Sequence, residues 1–183
     1  MSTRARLTGS LQEKPRSVSR GHPKRRLDLR TVAGPALTEA IQDYLKAIYK
    51  LQEGEARVSV TALAREQGVA AGSASEMVKK LAALELVDHA PYKGVRLTAA
   101  GERVAVEVIR HHRLLELYLA KTLGLDVDDV HDEADRLEHV LSEELEARID
   151  RALGFPTHDP HGDPIPNAKL EWPNARERRE ATN

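Results

Sequence analysis

Residues 59–84 read SVTALAREQGVAAGSASEMVKKLAAL and predict two short helices joined by a tight turn. Ser59 can cap the first helix, and Gly68 supplies the turn that ends it. The second helix opens on Ser73-Ala-Ser-Glu76, which has the form of a capping box. Two short helices around a glycine-containing turn are typical of a helix-turn-helix.

The segments on either side complete this motif. Apolar residues recur at three- and four-residue steps over 37–53, which predicts an amphipathic helix before it. After it, residues 86–89 and 94–97 are typical of two short strands around a turn at 91–94. Three helices followed by a two-stranded wing make a winged helix-turn-helix, which we predict for residues 37–97.

A winged helix-turn-helix usually inserts its second motif helix into the major groove of DNA. We therefore expect double-stranded DNA as a partner, with base contacts from this helix and phosphate contacts from the wing. Small residues at the helix start, such as Ala70 and Ala74, would leave specificity to DNA shape. The alternative is that the winged fold mediates protein contacts only. The residues expected to contact DNA are Ser73, Ser75, Glu76, Lys79, Lys80, Lys93 and Arg96.

The second half of the chain is predicted to be helical. Apolar periodicity indicates helices over 98–123, 127–141 and 142–153, with Thr98 and Ser142 as N-caps. The fold class is therefore mainly α, with an N-terminal winged helix-turn-helix followed by an all-helical domain.

A cluster of side chains able to bind a metal lies within this helical half. Carboxylates crowded beside an apolar helix face are costly unless a cation compensates them. Such a stripe is also typical of an ordinary solvated helix face. His111 and His161 have no such arrangement in the sequence and are assigned no role. The candidate ligands are His131, Asp135, Glu138 and His139 on one predicted helix, and His112 and Glu116 on the helix before it.

Charge is distributed unevenly along the 183 residues, although the formal net charge is only −1. Residues 1–36 hold nine basic and two acidic side chains, whereas residues 98–183 hold 11 basic and 19 acidic ones. We expect 1–36 to be a disordered basic arm, either an electrostatic tether to nucleic acid or a solvated tail. The chain thus divides into this arm, the winged domain over 37–97, the helical domain over 98–153 and an irregular proline-rich tail over 154–183.

Composition excludes several classes of protein. The chain has no cysteine, so disulfides, thiolate zinc sites and cysteine nucleophiles are excluded. It has no apolar run long enough to span a bilayer, and no apolar stretch follows the charges near residue 1, so we expect no signal peptide. We therefore expect a cytoplasmic protein with no membrane partner.

Several separated motifs, in a fixed order, resemble those of one known family. On these motifs, residues 37–166 resemble the metal-dependent repressors of the diphtheria toxin repressor and manganese transport regulator family. The resemblance implies that the helical domain binds metal and dimerises. It also implies a short form without the SH3-like C-terminal domain of longer members. The motifs are Asp43–Tyr49, the helix-turn-helix, Leu97–Gly101, His112–Glu116, Val130–His139 and Gly162–Pro166.

The resemblance also implies two metal sites. The iron-responsive branch has Met and Cys where this chain has Asp43 and Asp135, and this change from sulfur to carboxylate oxygen favours Mn²⁺ over Fe²⁺. The manganese branch has an acidic ligand at the position of Lys46, so we expect two separated sites here. Co²⁺, Ni²⁺, Zn²⁺ or Cd²⁺ can substitute in vitro. The implied ligands are Asp43, Asp135, Glu138 and His139 for one site, and His112, Glu116 and His131 for the other.

The expected function is a Mn²⁺-responsive regulator of metal-homeostasis genes, with the metal as co-repressor and operator DNA bound by a homodimer. Alternatives are an iron-responsive member of the family, a metal-independent winged-helix regulator and a metallohydrolase. No nucleophile or general-base motif is recognisable, so we expect neither an enzyme nor a small-molecule substrate. The apolar faces of the last two predicted helices are the candidate dimer seam, with Leu137, Val140, Leu145 and Ile149.

Overall fold

The computed structural model describes residues 37–52, 54 and 56–173. The predicted basic arm, the predicted tail beyond 173, and positions 53 and 55 lie outside the described residues. Among the described helices, none is both long and apolar enough to cross a membrane. The elements are α1 (Glu39–Leu51), α2 (Val60–Glu66), α3 (Ala71–Ala83), β1 (Val87–Ala90), β2 (Gly94–Leu97), α4 (Ala99–Tyr118), a π-helical turn (Leu119–Leu123), α5 (Val130–Leu137) and α6 (Glu143–Ala152).

The first hydrophobic core joins α1, α2, α3 and the base of the wing. Leu45 and Ile48 on the inner side of α1 are fully buried. They share this core with Leu63 of α2 and Leu81 of α3, which are also fully buried. The predicted winged helix-turn-helix is confirmed, because three helices and a hairpin pack around one apolar centre.

The wing is a two-stranded antiparallel sheet in which Val87 pairs with Leu97. Val58 extends it by a bridge to Val95, with both N–H···O distances at 2.8 Å. Gly94 has a φ of +96°, and a Cβ at this position would collide with the carbonyl of Val58. Glycine is therefore required where the hairpin crosses the segment before α2.

The start of α3 differs from the prediction. The helix begins at Ala71, after the extended Ala70, whose carbonyl accepts the N–H of Ala74 at 3.1 Å. Ser73 is therefore already inside the first turn and cannot adopt the extended geometry of an N-cap. The carboxylate of Glu76 accepts a hydrogen bond from Lys79 at 2.7 Å instead. The predicted capping box is wrong.

The other predicted N-caps are confirmed. The hydroxyl oxygens of Ser59, Thr98 and Ser142 accept hydrogen bonds from the backbone N–H three residues further on, at 3.1, 3.2 and 3.3 Å. These bonds satisfy N–H groups that a helix start would otherwise leave without a partner. They fix the N-terminal ends of α2, α4 and α6.

The second hydrophobic core surrounds the C-terminal half of α4. Leu114 of α4 and Ala134 of α5 are fully buried there, and Ile165 from the tail covers them at 2% exposure. The described part of the tail therefore packs against the helical domain. α5 ends at Leu137, four residues earlier than predicted, so Glu138 and His139 follow its last turn.

The predicted dimer seam is corrected at one residue. Ile149 is 5% exposed because it packs into the second core of its own chain, so it does not belong to an exposed seam. Leu137, Val140 and Leu145 are 39%, 67% and 49% exposed. These three residues, called here the α5–α6 apolar surface, remain available to a partner.

Candidate metal centre

The first ligand cluster joins α1 to the turn after α5. His139 Nε2 lies 2.9 Å from Asp43 Oδ1 and 3.4 Å from Glu138 Oε1. Ligand atoms of all three residues lie within 4.8 Å of one another. The hydrogen bond to Asp43 raises the pKa of His139 against the opposing effect of burial. Because a metal needs the unprotonated ring, a metal ion would compete with a proton for His139.

Gln42 sets the orientation of the His139 ring. Its side-chain oxygen lies 2.9 Å from His139 Nδ1. An amide oxygen can only accept, so Nδ1 donates and Nε2 faces Asp43 and Glu138. Hydrogen bonds of this kind orient the histidine ligands of metal sites. Gln42 was not among the residues predicted for the site, although its position next to Asp43 on α1 was a signal.

The second cluster is centred on His112 of α4. His112 Nδ1 lies 3.1 Å from Asp135 Oδ1, and Nε2 lies 2.9 Å from Glu116 Oε1 and 3.0 Å from His131 Nδ1. Ligand atoms of His112, His131 and Asp135 meet within 4.8 Å. Asp135 thus lies with the second cluster, not with Asp43 as the resemblance implied. The reason is that α5 presents Asp135 to α4, whereas Glu138 lies beyond the helix end.

Charges inside the second cluster compensate one another. Burial lowers the pKa of His112, but hydrogen bonds to Asp135, Glu116 and Glu138 outweigh burial and raise it to about 10. Burial raises the pKa of Glu116, and the hydrogen bond and charge of His112 overcome this and lower it to about 2. The hydrogen bond from His112 also lowers the pKa of Asp135. A metal ion at this cluster would replace the proton that His112 holds.

A third group shares Glu116 and was missed from the sequence. Ligand atoms of Glu116, Asp159 and His161 lie within 4.8 Å of one another, and His161 Nδ1 is 3.8 Å from Glu116 Oε2. Asp159 Oδ1 accepts the backbone N–H groups of His161 and Asp163. The available signal was the Asp-Pro-His spacing just before the Gly162–Pro166 motif.

His111, to which no role was assigned from the sequence, supports the backbone of the first cluster. It is 1% exposed. Its Nδ1 lies 3.0 Å from the backbone carbonyl of Glu138, and its Nε2 lies 3.1 Å from Glu146 Oε2. The ring thereby links α4 and α6 to the backbone of a ligand residue.

The residues predicted to contact DNA lie mostly on the surface of α3 and the wing. Ser73, Lys80 and Lys93 are exposed, and Ser75 is half-buried. Ala74, in contrast, is fully buried in the first core, so it cannot contact DNA. The other predicted DNA contacts form salt bridges within the chain. Glu76 contacts Lys79 at 2.7 Å, and Arg96 contacts Asp88 at 3.2 Å.

The fold and the clusters define a class of protein: a winged helix-turn-helix joined to a helical metal-binding domain. Two family descriptions match these parts. "Iron dependent repressor, N-terminal DNA binding domain" matches residues 36–95, and "Iron dependent repressor, metal binding and dimerisation domain" matches residues 98–167. The chain belongs to this iron-dependent repressor family, which is a family of transcriptional repressors and not of enzymes.

Individual relatives agree with this assignment. The chain is 38% identical over 131 residues to the diphtheria toxin repressor of Corynebacterium efficiens, over 71% of this chain and 56% of that protein. It is 33% identical to an uncharacterised HTH-type transcriptional regulator of Methanocaldococcus jannaschii, over 62% of this chain and 91% of that protein. A solved manganese-dependent transcriptional repressor in complex with manganese is similar at a TM-score of 0.67 and 51% identity, over 73% of this chain and 62% of that one. The chain spans little more than half the length of the diphtheria toxin repressors that it matches.

Proposed function

We propose that this protein is a DNA-binding repressor of metal-homeostasis genes that uses Mn²⁺ as its co-repressor. One observation carries the proposal: Asp43, on α1 of the winged domain, lies 2.9 Å from His139 of the helical domain. A single ligand set therefore draws on both domains. When bound, a divalent cation supplies the positive charge that lets Asp43, Glu138 and His139 share one position.

The first helix connects this ligand set to the DNA-reading elements. α1 carries Asp43 on one side and buries Leu45 and Ile48 in the core that it shares with α3. Holding Asp43 against His139 thus restricts how α3 and the wing are presented by the helical domain. Metal favours the DNA-binding arrangement only by as much as it binds that arrangement more tightly.

The donor atoms favour Mn²⁺. The first cluster offers two carboxylates and one imidazole, and the second offers two imidazoles and a carboxylate. Neither contains sulfur, and carboxylate oxygen suits Mn²⁺. A similar solved repressor holds manganese, which supports the same choice. Fe²⁺ is the second candidate, because curated relatives are named iron-dependent repressors.

The proposed partners are operator DNA and a second copy of the chain. The helical domain matches a family description that includes dimerisation. The three exposed residues of the α5–α6 apolar surface are available for such a contact. Two recognition helices related by a two-fold axis would then read two half-sites of an operator.

The test compares DNA binding with and without metal. A duplex selected from a random pool by the Mn²⁺-loaded protein serves as probe, and binding is followed by fluorescence anisotropy. We expect Mn²⁺ to strengthen binding at least tenfold, Fe²⁺ to do so less well and exhaustive dialysis against EDTA to remove the effect. Equal binding after EDTA dialysis would overturn the proposal.

Substitution of the shared ligand gives the sharper form of this test. Asp43→Ala should abolish stimulation by Mn²⁺ while circular dichroism shows an unchanged fold. Asp132→Ala, which removes an exposed carboxylate of α5 outside the clusters, is the matched control and should respond like the unmodified protein. Unchanged stimulation of Asp43→Ala would remove Asp43 from the site.

A further inference from the structure

Lys46 places a positive charge between the two ligand clusters. It lies on α1, three residues after Asp43, and is 8% exposed. Its Nζ donates to Asp135 Oδ1 at 3.0 Å and to Glu138 Oε2 at 2.8 Å, and it lies 3.3 Å from His112 Nδ1. Its acceptors are the carboxylate oxygens of Asp135 and Glu138, which are the atoms that would also hold a metal cation.

Glu138 is the residue that the two clusters share. Its Oε1 lies 3.4 Å from His139 Nε2 of the first cluster, and its Oε2 lies 2.7 Å from His112 Nδ1 of the second. Both oxygens also accept hydrogen bonds from Lys46, at 3.0 and 2.8 Å. The clusters are therefore contiguous through Glu138 rather than separated as expected from the sequence, and Lys46 lies at their junction.

The ammonium contributes to compensating a buried carboxylate charge, together with His112 and His139. Glu138 is 1% exposed, and an isolated buried carboxylate carries a large desolvation cost. A divalent ion that used Glu138 Oε2, Asp135 and His112 would meet Lys46 Nζ at hydrogen-bond distance from the same atoms. Two cations cannot share these ligands without strong repulsion.

We propose that Lys46 is a resident cation of the centre: its ammonium holds the place between the clusters, limits the number of divalent ions that bind and weakens the hold on those that do. This inference rests on the proposed function, because it concerns the same ligand set. It makes Lys46 a residue that determines metal stoichiometry and affinity without itself binding metal.

The test measures how many Mn²⁺ ions the full chain binds and how tightly it binds them. Mn²⁺ binding is measured by equilibrium dialysis, and the bound ions are observed by electron paramagnetic resonance. Lys46→Glu should bind one more Mn²⁺ per chain than the unmodified protein and show the broadened signal of two interacting ions. Lys46→Gln, which loses the charge but adds no carboxylate, should bind its first Mn²⁺ at least tenfold more tightly.

Lys50→Glu and Lys50→Gln are the matched controls. Lys50 lies one helical turn further along α1. Its charge also interacts with those of Asp135 and Glu138, but no hydrogen bond to a cluster residue is found for it among the described residues, so it controls for charge without direct contact. Its variants should change the stoichiometry by less than half an ion and the affinity by less than threefold. If the Lys46 and Lys50 variants behave alike, the inference is wrong.

Failure of the proposed function would look different. Absence of Mn²⁺ binding in the unmodified protein, together with metal-independent DNA binding, would overturn both the proposed function and the role of Lys46. Mn²⁺ binding that Asp43→Ala removes but Lys46→Gln leaves unchanged would overturn the role of Lys46 alone. If Lys46→Glu does not fold, the affinity of Lys46→Gln decides the question.

Discussion

At the scale of single residues, Arg110 forms a set of buried polar contacts in the helical domain. It is 2% exposed, and its guanidinium donates to Glu146 at 2.6 Å, to Asp150 at 2.8 Å and to the carbonyl of Pro166 at 2.6 Å. Glu146 also binds His111, which contacts the backbone of Glu138. This network attaches α6 and the tail to α4 directly behind the metal ligands.

Glu146→Gln should therefore destabilise the metal-free protein. The substitution leaves Arg110 with Asp150 as its remaining carboxylate partner and removes the charge that His111 contacts, and we expect a loss of about 3 kcal/mol in the free energy of unfolding at pH 7. Glu144→Gln is the control, because Glu144 forms an exposed pair with Arg148 on the same helix. Such exposed pairs contribute about 0.5 kcal/mol or less. Urea unfolding with EDTA, at one protein concentration, measures both.

The buried contacts of Glu146 also predict that the stability of the protein depends on pH. Burial raises the pKa of Glu146, but the hydrogen bond from His111 and the charge of Arg110 outweigh burial and lower it. The stability that the carboxylate contributes is thus present above its unfolded pKa and is lost as pH falls through the lower folded value. The difference between Glu146→Gln and the unmodified protein should shrink below about pH 4.5. A difference that stays constant down to pH 3 contradicts this origin.

At the scale of elements, the junction between the wing and α4 depends on Gly101. This residue lies in the first turn of α4 against the carbonyl of Leu86, and a Cβ added to it would fall well inside contact distance of that oxygen. The same carbonyl accepts the N–H of Thr98 at 3.0 Å, so it is not free to move. The close approach lets α4 begin directly beneath the strands.

Gly101→Ala should consequently destabilise the protein by about 2 kcal/mol or more, because overpacking forces backbone shifts. Gly72→Ala is the control on another helix, since nothing lies within 4 Å of a Cβ added to Gly72. Alanine is favoured over glycine within helices, so the control should be neutral or slightly stabilising. Thermal unfolding followed by circular dichroism distinguishes them. Equal unfolding midpoints for the two variants would show that the backbone at Leu86 can shift with little loss of stability.

At the scale of the whole molecule, the described chain is held together by contacts that cross between its two halves. The ring of Trp172, near the end of the described tail, stacks on Tyr49 of α1 with centroids 6.1 Å apart, and Arg113 of α4 lies 5.5 Å from the Trp172 centroid. The tail thus returns from the helical domain to the first helix. The α5–α6 apolar surface, in contrast, is not covered by any element among the described residues.

Val140→Asp should weaken the proposed homodimer. A charge placed on a 67% exposed apolar side chain costs the folded monomer little but opposes burial at a subunit contact. We expect the apparent dimer mass in light scattering to fall toward that of the 20.3 kDa chain at micromolar concentration. Tyr92→Asp places the same charge on the fully exposed wing and should leave the mass unchanged. A dimer that survives in Val140→Asp would move the seam away from this surface.

Local patterns determined much of this protein from its sequence alone. Element order, three of the four predicted N-caps and the candidate ligands of the helical domain follow from periodicity and side-chain chemistry within short stretches, whereas Asp43 was implied only by the family resemblance. The predictions that failed locally, the capping box at Ser73 and the length of α5, concern helix ends, where one backbone hydrogen bond decides between neighbouring starts.

Only the tertiary structure decided which ligands meet and what lies between them. Lys46 contacts Asp135 and Glu138 across 89 and 92 positions of sequence, and Gln42 orients His139 across 97. Asp135 joins His112 rather than Asp43, and Ile149 turns into its own core, because helix packing sets the direction of each face. Periodicity defines a face of a helix, but it does not define the neighbour that this face meets.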